Sequence, residues 1–257
     1  MTNDFWRPAG HLFIRALKQS TRPLAAIIPS FFLPLFFFLV NSAAFQRITD
    51  LPGFTAESYL AFYAPVALLM AVFFSSGDAG FELMLDITSG YFEKLMLAPI
   101  SRYAILLPRI LAMGVRSLAQ GLLVFALLML FGAPYRGGVL GAFELLALIA
   151  LFGMGWSGIG LTLAALTKNP RVLQSSFILV FPLTFVTTAQ LPKELLTGWY
   201  KVAVGINPVT HILEGIRAIM TRGGGFSSEI VVAFAVALGL LAVTSSVAVW
   251  SFRRTAT

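Results

Sequence analysis

The chain has 257 residues, of which 58% are hydrophobic and 11% are charged, so a water-soluble fold would lack the polar surface to cover it. Its net charge of +7 predicts a membrane topology bias and contact with anionic lipid, and it does not favour nucleic-acid binding. The absence of cysteine excludes disulfides, thiol catalysis and Cys-ligated metal sites.

Six apolar runs reach the roughly 20 residues that a helix needs to cross a hydrocarbon core about 30 Å thick. They cover about residues 24–45, 59–81, 104–132, 141–166, 172–191 and 229–252. The alternating pattern of a β-barrel is missing. The sequence therefore predicts an all-α integral membrane protein with six transmembrane helices, organised as one domain over residues 1–257.

The distribution of Lys and Arg predicts a cytoplasmic N-terminus and C-terminus. With that orientation the cytoplasmic segments hold twelve of the eighteen basic residues: Arg7, Arg15, Lys18, Arg22, Lys94, Arg102, Arg109, Arg116, Lys168, Arg171, Arg253 and Arg254. The outer segments hold the other six: Arg47, Arg136, Lys193, Lys201, Arg217 and Arg222. Residues 253–257 then form a short cytoplasmic tail.

The N-terminal segment, residues 1–23, has the pattern of an amphipathic helix. Asp4 can cap it, apolar side chains from Phe5 to Leu17 recur at helical spacing, and His11 and Arg15 lie on the other face. We expect this elbow helix to lie in the inner membrane surface. It either anchors the chain there or also touches a cytoplasmic partner.

Charged side chains follow the second span and precede the third. Asp78, Glu82 and Asp86 recur every four residues, and Arg102, Arg109 and Arg116 every seven, so each set lies on one helical face. We predict that Asp78, Glu82 and Asp86 pair with Arg109 and Arg116 across a helical hairpin, which offsets the cost of charge near hydrocarbon. The alternative is that each side chain extends separately to lipid headgroups.

Between these charged faces lies the 90–102 segment, a charged stretch interrupted by Pro99 where a short turn would suffice. Its candidate partner-binding residues are Gly90, Tyr91, Phe92, Glu93, Lys94, Leu95, Met96, Ala98, Pro99, Ser101 and Arg102. Apolar Phe92, Leu95 and Met96 can bury against a partner while the charges set its orientation. An ordinary amphipathic interfacial loop is the alternative.

The fourth span contains closely spaced small residues, Gly153 with Ser157 and Gly160 with Ala164, which permit close helix contact within the subunit or across a dimer. The stretch Gly155 to Gly158 also matches the nucleophile motif of rhomboid-type intramembrane proteases. Such an enzyme needs a His base on a neighbouring span, and the two histidines, His11 and His211, lie outside the predicted spans.

The fifth span is the most polar of the six and is the best candidate to line a pathway, although such hydroxyls often bond back to their own helix. The candidate pathway residues are Ser176, Thr184, Thr187 and Thr188. After it, an apolar stretch breaks at Gly205 and restarts after Asn207-Pro208, a good helix start. Two half-length helices dipping in from the outer face would form a gate. The candidate gate residues are Trp199, Asn207, Pro208, Glu214 and Arg217.

The sequence contains no motif for nucleotide hydrolysis or metal binding. The chain has no Gly-Lys dipeptide and therefore no phosphate-binding P-loop, and no His, Asp and Glu cluster has metal-ligand spacing. We expect no catalytic site, metal or cofactor in this chain. Uphill transport would need an ion gradient or another subunit.

Over nearly its whole length the chain resembles the permease subunits of ABC-2 type exporters, particularly the drug and antibiotic resistance branch. The resemblance rests on the elbow helix, six spans, the residues Gly90-Tyr91-Phe92-Glu93 with the following Lys-Leu-Met-Leu-Ala-Pro-Ile-Ser-Arg, and the outer region with Asn207-Pro208, Glu214 and Arg217. Many relatives read Gly-Thr-Leu-Glu at residues 90–93, and the departure fits the drug-resistance branch.

The resemblance implies that the 90–102 segment is a cytoplasmic coupling helix that docks on an ABC ATPase subunit. Its family motif positions are Glu93, Leu95, Met96, Pro99 and Arg102. It also implies a second permease copy, ATP and Mg bound by the ATPase, and export of an amphipathic compound from a bacterial inner membrane. A lipid-linked glycan exporter, an accessory membrane-assembly protein and the protease remain alternatives.

Overall fold

The computed structural model describes residues 6–21, 24–50, 52, 54 and 56–254, and these contain helices, turns and no β-strand. The α-helices of this part are α1 (Trp6–Thr21), α2 (Leu24–Ala44), α3 (Tyr59–Thr88), α4 (Tyr91–Leu97), α5 (Arg102–Leu130), α6 (Gly138–Thr167), α7 (Pro170–Val180), α8 (Gly198–Ile206), α9 (Pro208–Thr221) and α10 (Ser228–Arg254). Asp4, Phe5 and Arg22 lie outside the described residues.

Four of these helices, α3, α5, α6 and α10, are long and apolar enough to cross a membrane. They correspond to the predicted second, third, fourth and sixth spans. The described apolar part of α2, Ser30–Ala44, is shorter than the roughly 20 residues of a full span. The all-helical membrane fold is therefore confirmed, whereas the count of six spans stays a prediction.

The predicted fifth span, residues 172–191, is not one continuous helix. Helix α7 ends at Val180 after 11 residues, a 3-10 turn covers Phe181–Thr184, and turns follow to Leu191. Pro182 explains the break, because proline disfavours helical backbone at the residue before it and lacks the N–H that a helix needs. A hydropathy profile does not show this helix break.

Helix α3 lies at the centre of the bundle, and nearly all of its side chains from Tyr59 to Phe73 are buried. It approaches α6 without intervening side chains, because a Cβ on Gly80 would lie 2.7 Å from the carbonyl oxygen of Gly160. Other small residues of α6 face neighbouring helices: Gly153 meets Ser117 of α5 and Gly158 meets Thr244 of α10. The small-residue pattern thus serves contacts within the subunit.

Helix α1 is amphipathic, as predicted, and its apolar face packs on the protein. Ala9, Leu12 and Ala16 are buried, and the helix lies mainly against α5. The placement of α1 in a membrane surface stays a prediction. At the other end of the chain, α10 continues through Arg254, so the predicted tail begins inside a helix.

Candidate functional site

The structure brings together the five residues that the spacing predicted to pair across the hairpin. Arg116 of α5 contacts Asp78 at 2.5 Å and Glu82 at 3.0 Å, and Arg109 pairs with Asp86. The side chains of both arginines are less than a tenth exposed. We call these five residues the charged hairpin; it joins the α4-proximal halves of α3 and α5 over two turns.

A sixth member of this network, Arg15 of α1, was not predicted. Its guanidinium makes two hydrogen bonds to Asp86, at 2.6 and 2.9 Å, and lies 3.9 Å from the centre of the Tyr91 ring. The hydrogen bonds to Asp86 raise the pKa of Arg15 above its ordinary value, so this group stays charged. The pairing joins residues 71 positions apart, and no local spacing rule relates them.

The 90–102 segment contains a short helix, α4, held in a closed loop between α3 and α5. Gly90 precedes it with φ of 70°, a left-handed conformation that glycine adopts without steric cost. Ser101 caps α5, accepting a hydrogen bond from the Ala104 N–H at 3.2 Å. Arg102 donates to the Met96 carbonyl at 2.9 Å. Ser101 and Arg102 therefore shape the loop itself.

Helix α4 uses its main apolar side chains within its own chain. Phe92 is buried with its ring edge-on to Phe252 of α10, and Leu95 and Met96 are half-buried beside it. The expectation that these three bury against a partner is therefore wrong for Phe92. The reason is geometric: a helix of seven residues has room for one apolar face, and the ends of α3 and α10 cover it.

The exposed surface of α4 presents Glu93, Lys94 and Leu97, with Pro99 following. Leu97 is 87% exposed, and sequence reasoning passed over it. A helical wheel would have found it, since five residues at 3.6 per turn place Leu97 about 140° from Phe92. We call Glu93, Lys94, Leu97 and Pro99 the α4 face. An exposed leucine beside charged residues fits the pattern of a docking surface.

A second group of buried polar side chains lies at the opposite end of α3, where Arg217 of α9 stacks on the ring of Phe62 at 4.0 Å. Arg217 pairs with Glu214 and donates to the carbonyl of Thr188 at 2.9 Å, while the Thr188 hydroxyl donates to Glu214. We call these four residues the Arg217 cluster. It brings together the predicted pathway residue Thr188 and the predicted gate residues Glu214 and Arg217. Phe62 was not predicted.

Asn207 connects the irregular stretch after α7 to the start of α9. Its amide donates to the carbonyls of Leu183, at 2.7 Å, and Val186, at 2.6 Å, while its side-chain oxygen accepts from the Val209 N–H. Pro208 then occupies the first turn of α9, as predicted. These bonds satisfy carbonyls that the break at Pro182 leaves without helical partners.

The remaining predicted residues are dispersed. Thr184 and Thr187 are buried, and the Thr187 hydroxyl bonds the Thr184 carbonyl at 2.9 Å, so it serves its own turn. Trp199 is 77% exposed on α8 and is not part of the Arg217 cluster. The side chain of Ser176 lies outside the described residues.

A cavity of about 650 Å³ opens beside the Arg217 cluster. Its charged lining residues are Glu57, Arg136, Lys193, Glu194, Glu214, Arg217, Arg222 and Glu229. Acidic and basic side chains are equal in number there, so the cavity favours neither sign of charge. In the part of the chain that the structure describes, no three His, Asp or Glu side chains form a group that could hold a metal.

The protease alternative gains no support from the fold. Ser157 is fully buried, and its hydroxyl donates to the Met154 carbonyl of its own helix at 2.7 Å. His211 of α9 contacts the carbonyl of Gly205 at 3.0 Å, and His11 lies on α1. A serine nucleophile needs a base within hydrogen-bond reach, and neither histidine bonds Ser157.

Comparison with known proteins gives a consistent result along most of the chain. Residues 9–221 match the sequence profile of the family described as ABC-2 type transporter. The chain is 28% identical to the daunorubicin resistance ABC transporter permease protein DrrB1 of Streptomyces coeruleorubidus, over 84% of this chain and 74% of that protein.

Two further relatives show similar coverage. A putative transport permease, ycf38 of Cyanophora paradoxa, is 29% identical over 85% of this chain and 75% of its own length. A probable doxorubicin resistance ABC transporter permease protein, DrrC of Mycobacterium tuberculosis, is 22% identical over 81% of this chain and 75% of its own length. The family match over residues 9–221 covers the charged hairpin, the 90–102 segment and the Arg217 cluster together.

Proposed function

Because the chain belongs to the ABC-2 type transporter family, we propose that it is the permease half of an ATP-driven exporter of an amphipathic, drug-like or lipidic compound. Members of this family are membrane subunits that work with separate ATPase subunits. ATP and Mg would bind to that partner, which docks on the 90–102 segment. Two permease copies would enclose the path in a bacterial inner membrane, with both termini in the cytoplasm.

The α4 face is the observation that supports this proposal most directly. Leu97 is exposed one turn after the charged Glu93 and Lys94, and Phe92 fixes the opposite side of the same helix to α10. A docking helix that is rigidly seated transmits movement instead of absorbing it. Arg102 closes the loop on the α5 side, and Tyr91 contacts Arg15 of the charged hairpin network.

The charged hairpin would turn that movement into a change of the bundle. Because Arg109 and Arg116 join α3 to α5, displacement of α4 moves both helices as a unit. Closure of the ATPase subunits around ATP would then shift the permease between inward-open and outward-open populations. The Arg217 cluster lies at the other end of α3, where a gate would open.

The proposed substrate class rests on the relatives' names and on the character of the cavity. Two of the relatives are named for resistance to daunorubicin and doxorubicin. The cavity beside the Arg217 cluster combines both signs of charge with apolar Ala61 and Phe62, a lining that suits an amphipathic compound. Drug-stimulated ATP hydrolysis by the reconstituted complex would support this class, and stimulation by lipid-linked glycans alone would overturn it.

The docking role of α4 is tested by affinity purification of the tagged chain from its native membrane, followed by quantification of the bound ATPase. Leu97→Asp should reduce the retained ATPase by about tenfold or more, the size expected for a central interface residue. Leu130→Asp is the matched control, because Leu130 ends α5 away from α4 and is 81% exposed. Equal retention by both variants would contradict the proposal.

A further inference from the structure

An apolar groove of about 540 Å³ runs along the outside of the bundle between α5, α6 and α10. Leu107 and Leu111 of α5 and Trp250 of α10 line it and are each at least 40% exposed. Met154 of α6 forms part of the floor. We call this the α5–α10 groove; it lies outside the Arg217 cluster and its cavity.

The two ends of the groove differ in chemistry. At the α4 end stand Tyr103 and Arg253, with the guanidinium of Arg253 3.4 Å from the Tyr103 hydroxyl. Arg253 is exposed, and among the described residues no carboxylate forms an ion pair with it, in contrast to Arg109 and Arg116. A cation beside tyrosine and tryptophan at a helix end is the arrangement found at the headgroup level of membranes.

The length of the groove matches one leaflet. On α10 its lining runs from Leu241 to Arg253, and these two residues are twelve helical steps apart, about 18 Å at 1.5 Å per residue. Half of a hydrocarbon core about 30 Å thick is about 15 Å. A chain that starts at Arg253 and follows the groove therefore ends near the bilayer midplane, as the acyl chain of a phospholipid does.

The groove is poorly suited to a drug with several polar groups. Ser245 and Ser246 line its middle, and the Ser246 hydroxyl donates to the Ala242 carbonyl of α10 at 2.7 Å. The charged group of the lining is at the Arg253 end. This distribution suits a ligand that is apolar along its length and anionic at one end.

We propose that the α5–α10 groove binds an anionic phospholipid, with its acyl chain along Leu107, Leu111 and Met154 and its phosphate at Arg253. The Tyr103 hydroxyl would donate to the same phosphate. Arg253 thereby gains a counter-ion that the described part of the chain does not supply. This inference requires that α10 spans a membrane, and it is independent of the transported substrate.

Trp250 provides a direct probe, because it lines the groove and bromine on a nearby acyl chain quenches tryptophan fluorescence. The full-length protein is reconstituted in phosphatidylcholine vesicles that contain acyl-brominated phosphatidylglycerol or acyl-brominated phosphatidylcholine at equal mole fraction. The Trp250→Phe variant is measured alongside, and the difference isolates the signal of Trp250 from that of the other tryptophans.

We expect brominated phosphatidylglycerol to reach Trp250 with about fivefold preference over brominated phosphatidylcholine, the size of one basic contact at a membrane surface. Arg253→Gln should abolish the preference, and Arg253→Lys should retain most of it. Arg171→Gln is the control, because it removes an exposed arginine that does not line the groove and should leave the preference unchanged.

Equal quenching by the two lipids would overturn the proposal. So would a similar loss in Arg253→Gln and Arg171→Gln, since the preference would then reflect general surface charge. If neither lipid quenches Trp250, another protein surface, such as a second copy of the chain, covers the groove and the proposal is wrong. None of these outcomes depends on ATPase binding or transport, so the proposed function is tested separately.

Discussion

The charged hairpin and the Arg217 cluster both bury arginine, but they satisfy it in different ways. Arg109 and Arg116 are paired with carboxylates of another long helix. Arg217 pairs within its own helix, three residues from Glu214, and its other partners are the Thr188 carbonyl and hydroxyl and the carbonyl and ring of Phe62. The first arrangement joins two rigid rods, whereas the second attaches an irregular segment to a short helix.

This difference predicts that the two ends of α3 respond differently to movement. Phe62 and Asp86 are 24 residues apart on that helix, roughly 36 Å. Near α4, movement requires α3 and α5 to shift together, because separating them would leave buried charges unpaired. Near Arg217, the stretch from Phe181 can rearrange by exchanging hydrogen bonds. Local opening should therefore be frequent at Arg217 and rare at the hairpin.

Removal of Arg116 should have the largest effect. Arg116→Met leaves Asp78 and Glu82 without their arginine, and breaking a buried pair typically costs about 3–5 kcal/mol. We expect the purified variant to unfold at lower denaturant concentration by that free energy and to lose both ATPase association and transport. The triple variant with Asp78→Asn and Glu82→Gln should recover part of the stability. If Arg116→Met does not change the free energy of unfolding, the proposed difference between the two ends of α3 is wrong.

Removal of Arg217 should cost less. Arg217→Met leaves Glu214 with the Thr188 hydroxyl as partner, so we expect a loss of about 1–3 kcal/mol in the free energy of unfolding. Transport should fall while ATPase association persists. Arg222→Met is the control, because its pair with Glu229 is largely exposed and such pairs contribute about 0–1 kcal/mol. Loss of ATPase association in Arg217→Met would show that the two ends are not separable.

Replacement of Asn207 should act locally. Asn207→Ala removes the bonds to the Leu183 and Val186 carbonyls and the cap of α9, with an expected cost of about 1–2 kcal/mol. Hydrogen–deuterium exchange should rise at residues 209–211, in the first turn of α9, and remain unchanged in α3 and α5. A uniform rise across all helices would mean that the irregular segment is coupled to the whole bundle.

The smallest effect is expected for Arg15. Arg15→Gln removes a partly exposed partner of Asp86 that retains Arg109, so the change in unfolding free energy should be about 1 kcal/mol or less. Limited proteolysis should nevertheless cut near α1 sooner, because the hydrogen bonds from Arg15 to Asp86 and its contact with Tyr91 are gone. An unchanged cleavage rate would show that apolar packing on α5 holds α1 without Arg15.

Several parts of this architecture follow from local sequence. The charged hairpin was predictable because acids every four residues and arginines every seven mark single helical faces on consecutive helices. The cap formed by Asn207 and Pro208 was predictable for the same local reason.

Other features depend on packing that no spacing rule describes. The contact of Arg15 with Asp86 joins distant segments, and the break after Val180 follows from Pro182 in a run that is apolar on average. The inward orientation of Phe92 required knowing that α10 ends beside α4. The exposed position of Leu97 could then have been derived from helical geometry.

The contact between Phe92 and Phe252 also has a spectroscopic consequence. Their centroids are 5.3 Å apart with the ring planes at 87°, so the edge of one ring lies over the face of the other. Ring currents in that geometry displace the resonances of nearby nuclei. A fluorine placed on the ring of Phe92 would therefore have one chemical shift with α4 seated on α10 and another with α4 displaced, which makes the pair a built-in reporter of α4 movement.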